Sequence, residues 1–316
     1  MDTASKKDKN LFRLGLAFFS LTVAVFVIQL VAGVAVSLLA PEFYEGRYFN
    51  WILSVVPLYA VGLPLCMAIL EKKPQDETCR TKMSFPKLLL ALVIAIGLTV
   101  LGNLISNLLM YFCFGGENSS VTNPVNELFS DADIIMAFIS TVIIAPIGEE
   151  FLFRRLIIDR TAKYGELFAV VLSALMFGIY HMNFFQFFYA FFIGLLFGYI
   201  YIKKRYLRYT VILHALVNFF GAILPTLLLE LTSLDFEITE SLSPEQMIAV
   251  IISFVVMLLY LLVDYGCLVA TIVLFFIYFK RVSFDEGTEK ARVFRSPFLL
   301  LFFVFCLAMS IVQLLL

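Results

Sequence analysis

The sequence predicts an all-α fold, a polytopic transmembrane bundle of eight or nine helices. Three observations predict it. Of 316 residues, 62% are hydrophobic and 15% charged. Mean hydropathy is +0.97, far above a soluble domain. Apolar runs of about 20 residues, enough to cross a hydrocarbon core about 30 Å thick, recur along the whole chain.

In order, the runs lie near 17-40, 51-70, 88-112, 133-153, 167-181, 184-202, 209-229, 248-279 and 297-316. The charged start runs into an apolar stretch too long for a signal-peptide core, so the first run is expected to remain as a span. The run at 167-181 is short for a crossing; that at 248-279 is long enough to tilt, bend or protrude. No linker separates a second domain, and no internal repeat or low-complexity tract appears.

A formal net charge of −1 says little, but its distribution predicts orientation. Lys6, Lys7, Lys9 and Arg13 lead the chain. Lys72, Lys73, Arg80, Lys82 and Lys87 follow the second run, and Arg154, Arg155, Arg160 and Lys163 the fourth. Lys203, Lys204, Arg205 and Arg208 precede the seventh; Lys280, Arg281, Lys290, Arg292 and Arg295 precede the last. Residues 115-131 and 230-246 hold acids and no Lys or Arg. The positive-inside rule puts the amino terminus and the basic loops in the cytoplasm. Cysteines at 66, 79, 113, 267 and 306 have no C-x-x-C spacing, so neither a disulfide framework nor a thiolate metal site is indicated. No phosphate-cradling glycine loop or nucleic-acid patch is present, so nucleic acid is not expected as a partner.

The chemistry concentrates where the fourth run ends: Ile-Gly-Glu149-Glu150-Phe-Leu-Phe-Arg154. A charged side chain in hydrocarbon costs roughly 2.5–3.5 kcal/mol on insertion scales, so such groups face a polar interior and act there. Adjacent helical residues point about 100° apart while residues four apart share a face. Glu150 therefore pairs with Arg154, and Glu149 is left free. Pro146 interrupts the hydrogen-bond ladder just upstream and can kink the helix towards a cavity.

The chain has two histidines, His181 and His214, both in other apolar runs. If the fourth span continues as a polar helix, turns at Tyr164-Gly165 and returns antiparallel, Glu149 and His181 reach the same height. His214 and Asn218, four apart, share a face; His214 lies six residues past Arg208, roughly 9 Å inside the basic boundary. Gly194 and Gly198 form a G-x-x-x-G that allows close helix contact.

Glu, His, His and Asn around one cavity suit hydrolysis. In a metal version His181, His214 and Glu149 ligate Zn²⁺, with water in the fourth place; Glu150 is the other nearby acid. In a metal-free version Glu149 and His181 activate water, while His214 and Asn218 steady the developing negative charge. No suitably placed nucleophilic serine or cysteine is evident. Two other classes share these features: a transporter with a Glu/His proton relay, although paired interrupted helices in repeated halves are absent, and a non-enzymatic scaffold. Asp264, inside the 248-279 run, has no assigned role.

Glu149-Glu150-x-x-x-Arg154, Phe177-x-x-x-His181 and His214-x-x-x-Asn218, in that order, resemble the signatures of the CPBP intramembrane proteases. That family takes in type II CAAX prenyl endopeptidases and the Abi bacteriocin-immunity proteins. The resemblance covers about 130-225, with transmembrane helices at 1-129 and 226-316 on either side. It implies a multi-helix membrane endopeptidase whose site opens to the cytoplasm. Glu149, Glu150, His181, His214 and Asn218 are the expected catalytic set, with Arg154 and Phe177 expected to support it. The expected setting is a plasma membrane, with lipid and a membrane-associated peptide or protein substrate as partners.

Overall fold

The computed structural model describes residues 9–46, 48–70, 80–114, 133–232 and 244–315. Among them there is no β-strand, in keeping with the all-α class. Eight helices are long and apolar enough to cross a membrane: α1 Lys9–Leu39, α2 Phe49–Ile69, α3 Phe85–Cys113, α4 Ile134–Tyr164, α6 Phe184–Lys204, α7 Leu207–Leu228, α8 Met247–Arg281 and α9 Pro297–Leu315. Between α4 and α6 lies the shorter apolar helix α5, Glu166–Tyr180. At 1.5 Å per residue α5 is about 22 Å long, less than the hydrocarbon thickness. The long run reaching Arg281 is one unbroken α-helix from Pro244 to Tyr278. Lys6, Lys7, Lys72, Lys73, Cys79 and most of the two acidic stretches lie outside the described residues. Cys66, Cys113, Cys267 and Cys306 are free thiols.

Helices α5 and α6 pack as a tight pair, α3 runs along α6 and α8, and α1 is clasped between α2 and α9. The core threads through these contacts at Phe18, Phe153, Phe177, Phe197, Leu213 and Phe302, all buried. Gly194 and Gly198 make the α5 contact: an added Cβ would lie 3.0 Å from Ala174 and 3.0 Å from Val170 respectively. The turn between α4 and α5 falls at Gly165, whose φ of 112° favours glycine.

Outside the spans, segment 282–296 straps that turn. The Glu166 N–H donates to the Asp285 carbonyl (3.1 Å) and the Glu289 N–H to that of Lys163 (3.1 Å). Lys163 and Glu289 pair at 2.7 Å, and Lys203 pairs with Glu166. Elsewhere at this end the Thr81 N–H donates to the Lys204 carbonyl and Ser296 Oγ to that of Leu11. The described basic stretches thus meet at one end of the bundle.

Three helices widen into i→i+5 turns immediately ahead of a proline: Pro57–Gly62 before Pro64, Ile139–Ile144 before Pro146, and Phe219–Ile223 before Pro225. The cause is local. Proline has no N–H, and in each case the residue before it bonds to the carbonyl five back: Leu63 to Leu58, Ala145 to Ser140, Leu224 to Phe219. The next carbonyl then has neither its i+4 nor its i+5 donor. In a membrane such a group needs a partner inside the protein. Thr141 takes the amide of Asn218 at 2.7 Å, and Phe220 takes the Tyr260 hydroxyl at 3.1 Å. Asp264, one turn beyond Tyr260, interacts with that phenol.

Candidate active site

Arg154 and Glu150 anchor the site. Both are fully buried, and they form a bidentate pair: Nε to Oε2 at 3.0 Å and Nη2 to Oε1 at 3.2 Å. Arg154 Nη1 also donates to Ser173 Oγ on α5 (3.1 Å), whose hydroxyl donates to the Phe153 carbonyl at 2.6 Å. The guanidinium carbon lies 4.8 Å from the Phe177 ring centre and 6.0 Å from that of Phe197. A charge this deep is tolerable only when paired and hydrogen-bonded. Here aromatic rings lie near the guanidinium while its N–H groups are taken by polar partners.

Glu150 has a second duty: its Oε1 lies 3.0 Å from His214 Nδ1. Held ionised by Arg154, the carboxylate accepts, so the hydrogen of the neutral His214 ring sits on Nδ1 and Nε2 presents its lone pair. That lone pair faces Glu149, with His214 Nε2 and Glu149 Oε2 3.7 Å apart. The two adjacent acids have diverged as their 100° separation requires. Glu150 is sealed in, while the Glu149 side chain keeps 18% exposure.

His181 caps α5. Its Nδ1 is 2.8 Å from the Phe177 carbonyl. A carbonyl only accepts, so this ring also carries its hydrogen on Nδ1 and leaves Nε2 bare. Glu149 is within electrostatic range of it. Phe177, fully buried, lies edge-on to both imidazoles, with ring centres 4.9 Å from His181 and 5.7 Å from His214. Two imidazoles with fixed tautomers thus flank one carboxylate. Glu149 Oε2 and His214 Nε2, both acceptors, face one another too far apart for a direct hydrogen bond but close enough to share one water as donor to both.

Asn218 stands on the same face of α7 as His214, one turn on. One of its amide N–H bonds is committed to Thr141, so the side chain is a strut on the α4 distortion as well as a group near the site. Sequence reasoning missed three partners: the Glu150 to His214 hydrogen bond, Ser173 beneath Arg154, and the Thr141 carbonyl behind Asn218. Only the last had a signal in the sequence, the proline at 146.

A zinc ion would need three side chains about 2 Å from one point. Among the described residues no group of three His, Cys, Asp or Glu side chains is so disposed. Glu149 and His214 approach each other at 3.7 Å, and no step is derived through a metal.

Residues 131–220 match the family described as Type II CAAX prenyl endopeptidase Rce1-like. The chain carries an Rce1-like domain. It spans α4 to α7 and contains every residue of the site just described. It supports the resemblance to CPBP intramembrane proteases and, at family level, a CAAX-protease-like intramembrane endopeptidase in a multi-pass membrane protein. No curated protein and no solved structure gave a match.

Proposed function

We propose that this Rce1-like protein hydrolyses a peptide bond of a membrane-associated or lipidated peptide using water activated by Glu149, His181 and His214, without a covalent enzyme intermediate. Water binds between Glu149 Oε2 and His214 Nε2. Glu149 takes a proton as the water oxygen attacks the scissile carbonyl carbon, and the carbonyl electron pair moves to oxygen. On collapse the C–N bond breaks and the same proton passes to the departing nitrogen, leaving a carboxylic acid and an amine. His181, with Nε2 bare, orients the water or carries its proton. Glu150 and Arg154 hold His214 in the required tautomer and remain charged throughout.

The observation that carries this reading is the 3.7 Å approach of two acceptor atoms, Glu149 Oε2 and His214 Nε2, the imidazole being held from behind by Glu150. The gathering of basic loops at one end supports a cytoplasmic amino terminus and cytoplasmic opening. A plasma membrane is the proposed location.

The test is cleavage of a prenylated Cys-aliphatic-aliphatic-X peptide, beside a mixture of membrane peptides, by purified protein in proteoliposomes, paired with elemental analysis. Cleavage without stoichiometric metal and resistant to chelators is expected. A stoichiometric zinc lost together with activity would replace this route with the metal one.

A further inference from the structure

Helix α6 opens with an apolar, aromatic stretch, 184–198, in which Gln186 and Tyr189 are the two side chains able to hydrogen-bond. An amide and a phenol in a membrane-spanning segment need polar partners inside the protein. In part they supply one another: Gln186 Nε2 donates to the Tyr189 hydroxyl oxygen at 2.9 Å. That leaves the phenol hydrogen, the second amide N–H and Gln186 Oε1 unused, for neither side chain makes another hydrogen bond among the described residues. Both residues are half-buried, and Oε1 is not sealed into the packing.

The fold sets this pair at the edge of the site. The Tyr189 ring centre is 6.4 Å from that of His181, with the planes at 65°. Between the two residues runs the turn from α5 to α6, and it is tightly specified: Met182 has a φ of 49°, uncommon for a residue with a side chain, and Asn183 Oδ1 accepts from the Phe185 N–H at 2.9 Å. Helix α3 presses on the tyrosine backbone, where a Cβ added to Gly102 would fall 2.3 Å from the Tyr189 Cα. Side chains three apart share a helix face, so Gln186 lies on the same side of α6. A donor and an acceptor are thus fixed next to an imidazole that the hydrolytic reading uses. That mechanism gives neither of them a task.

An extended peptide at membrane depth has a difficulty that a helix does not: its N–H and C=O groups lack internal partners, and lipid offers none. In an extended chain the N–H and C=O of one residue point the same way. A hydroxyl hydrogen and an amide oxygen held side by side match that pair. We propose that Gln186 and Tyr189 form a substrate subsite beside His181, the phenol donating to a backbone carbonyl and Gln186 Oε1 accepting a backbone N–H of an extended peptide next to the scissile bond. This rests on the hydrolytic reading above and narrows its substrate class: the chain is taken unwound, not as an intact transmembrane helix. The subsite makes and breaks no covalent bond.

The experiment measures cleavage of the prenylated Cys-aliphatic-aliphatic-X peptide by the unaltered protein, Tyr189→Phe and Gln186→Leu in proteoliposomes. A second peptide series replaces each peptide bond except the scissile one, in turn, with an ester. Loss of one neutral hydrogen bond is worth about 2–12-fold, and it should appear as a higher KM at unchanged kcat, the mark of binding that is equal in ground and transition states. One ester position should raise the KM of the unaltered protein to a similar degree and cost Gln186→Leu nothing further, which a merely structural role would not produce. Unchanged KM in both variants, ester penalties that add to those of the variants at every position, a loss confined to kcat, or equal competition by a helix-stapled version of the peptide would each overturn the subsite. Peptide binding to Glu149→Gln separates the two levels. If that variant cleaves as the unaltered protein does, the hydrolytic reading fails, and the subsite survives only if adding Tyr189→Phe weakens binding by the same factor. If it is inactive and adding Tyr189→Phe leaves its affinity unchanged, only the subsite fails. A peptide that neither binds nor is cleaved defeats both.

Discussion

The buried pair of Glu150 and Arg154 separates stability from catalysis in a way that can be measured. In Arg154→Met the Glu150 carboxylate, with no solvent exposure, keeps the His214 Nδ1 contact at 3.0 Å and its Thr210 neighbour but loses two hydrogen bonds at 3.0 and 3.2 Å. Breaking a buried ion pair by removing one partner destabilises by about 3–5 kcal/mol. Loss of the 4.8 Å contact with Phe177 adds to that, by about 2 kcal/mol for a desolvated cation–π pair. Glu150→Met should destabilise comparably, by stranding the guanidinium. The double variant Glu150→Met/Arg154→Met removes both charges at roughly conserved volume, and such exchanges are often neutral or stabilising. It should therefore unfold close to the unaltered protein. Its cleavage should not recover: His214 no longer has an acceptor on Nδ1, and loss of the carboxylate that fixes a catalytic imidazole's tautomer can cost up to about 10⁴-fold in kcat. Chemical unfolding in mixed micelles gives the first quantity and the proteoliposome assay the second. A double variant as active as the unaltered protein, or single variants within about 1 kcal/mol of it, would refute the argument that this pair orients the imidazole.

Asn218→Ala leaves the Thr141 carbonyl without a donor, and Tyr260→Phe does the same at Phe220. Each should lower stability by about 1 kcal/mol, within the range for interhelical hydrogen bonds in membranes. Gly148→Ala drives a methyl group into the Tyr59 ring. Overpacking of that kind costs about 1–3 kcal/mol, and cleavage should fall with it. Gly165→Ala forces alanine to a φ of 112°; such strain costs on the order of 1–3 kcal/mol, readable as a lower thermal midpoint in detergent.

Much of this architecture can be read in the linear chain because the operative rules are local. The apolar runs mark the eight long helices among the described residues, and the short run before His181 forms a helix of only 15 residues. The midpoint between Glu149 and His181 marks the Gly165 turn, and i,i+4 spacing joins Glu150 to Arg154 and aligns His214 with Asn218. What stayed hidden is non-local. Glu150 and His214 are 64 positions apart, Asn218 and Thr141 are 77 apart, and nothing in either segment announces the other. The widened turns occupy a middle ground, since each proline announces a broken ladder while only the fold shows which side chain repairs it.

The central claim is that of two neighbouring acids, Glu149 does the chemistry while Glu150 supports it. Single-turnover cleavage by Glu149→Gln tests this most directly, in protein whose membrane insertion and thermal midpoint match the unaltered chain. Removing the base predicts a rate lower by at least the roughly 10²–10⁴-fold that general-base catalysis contributes. Cleavage at an undiminished rate by this correctly folded variant would contradict the account.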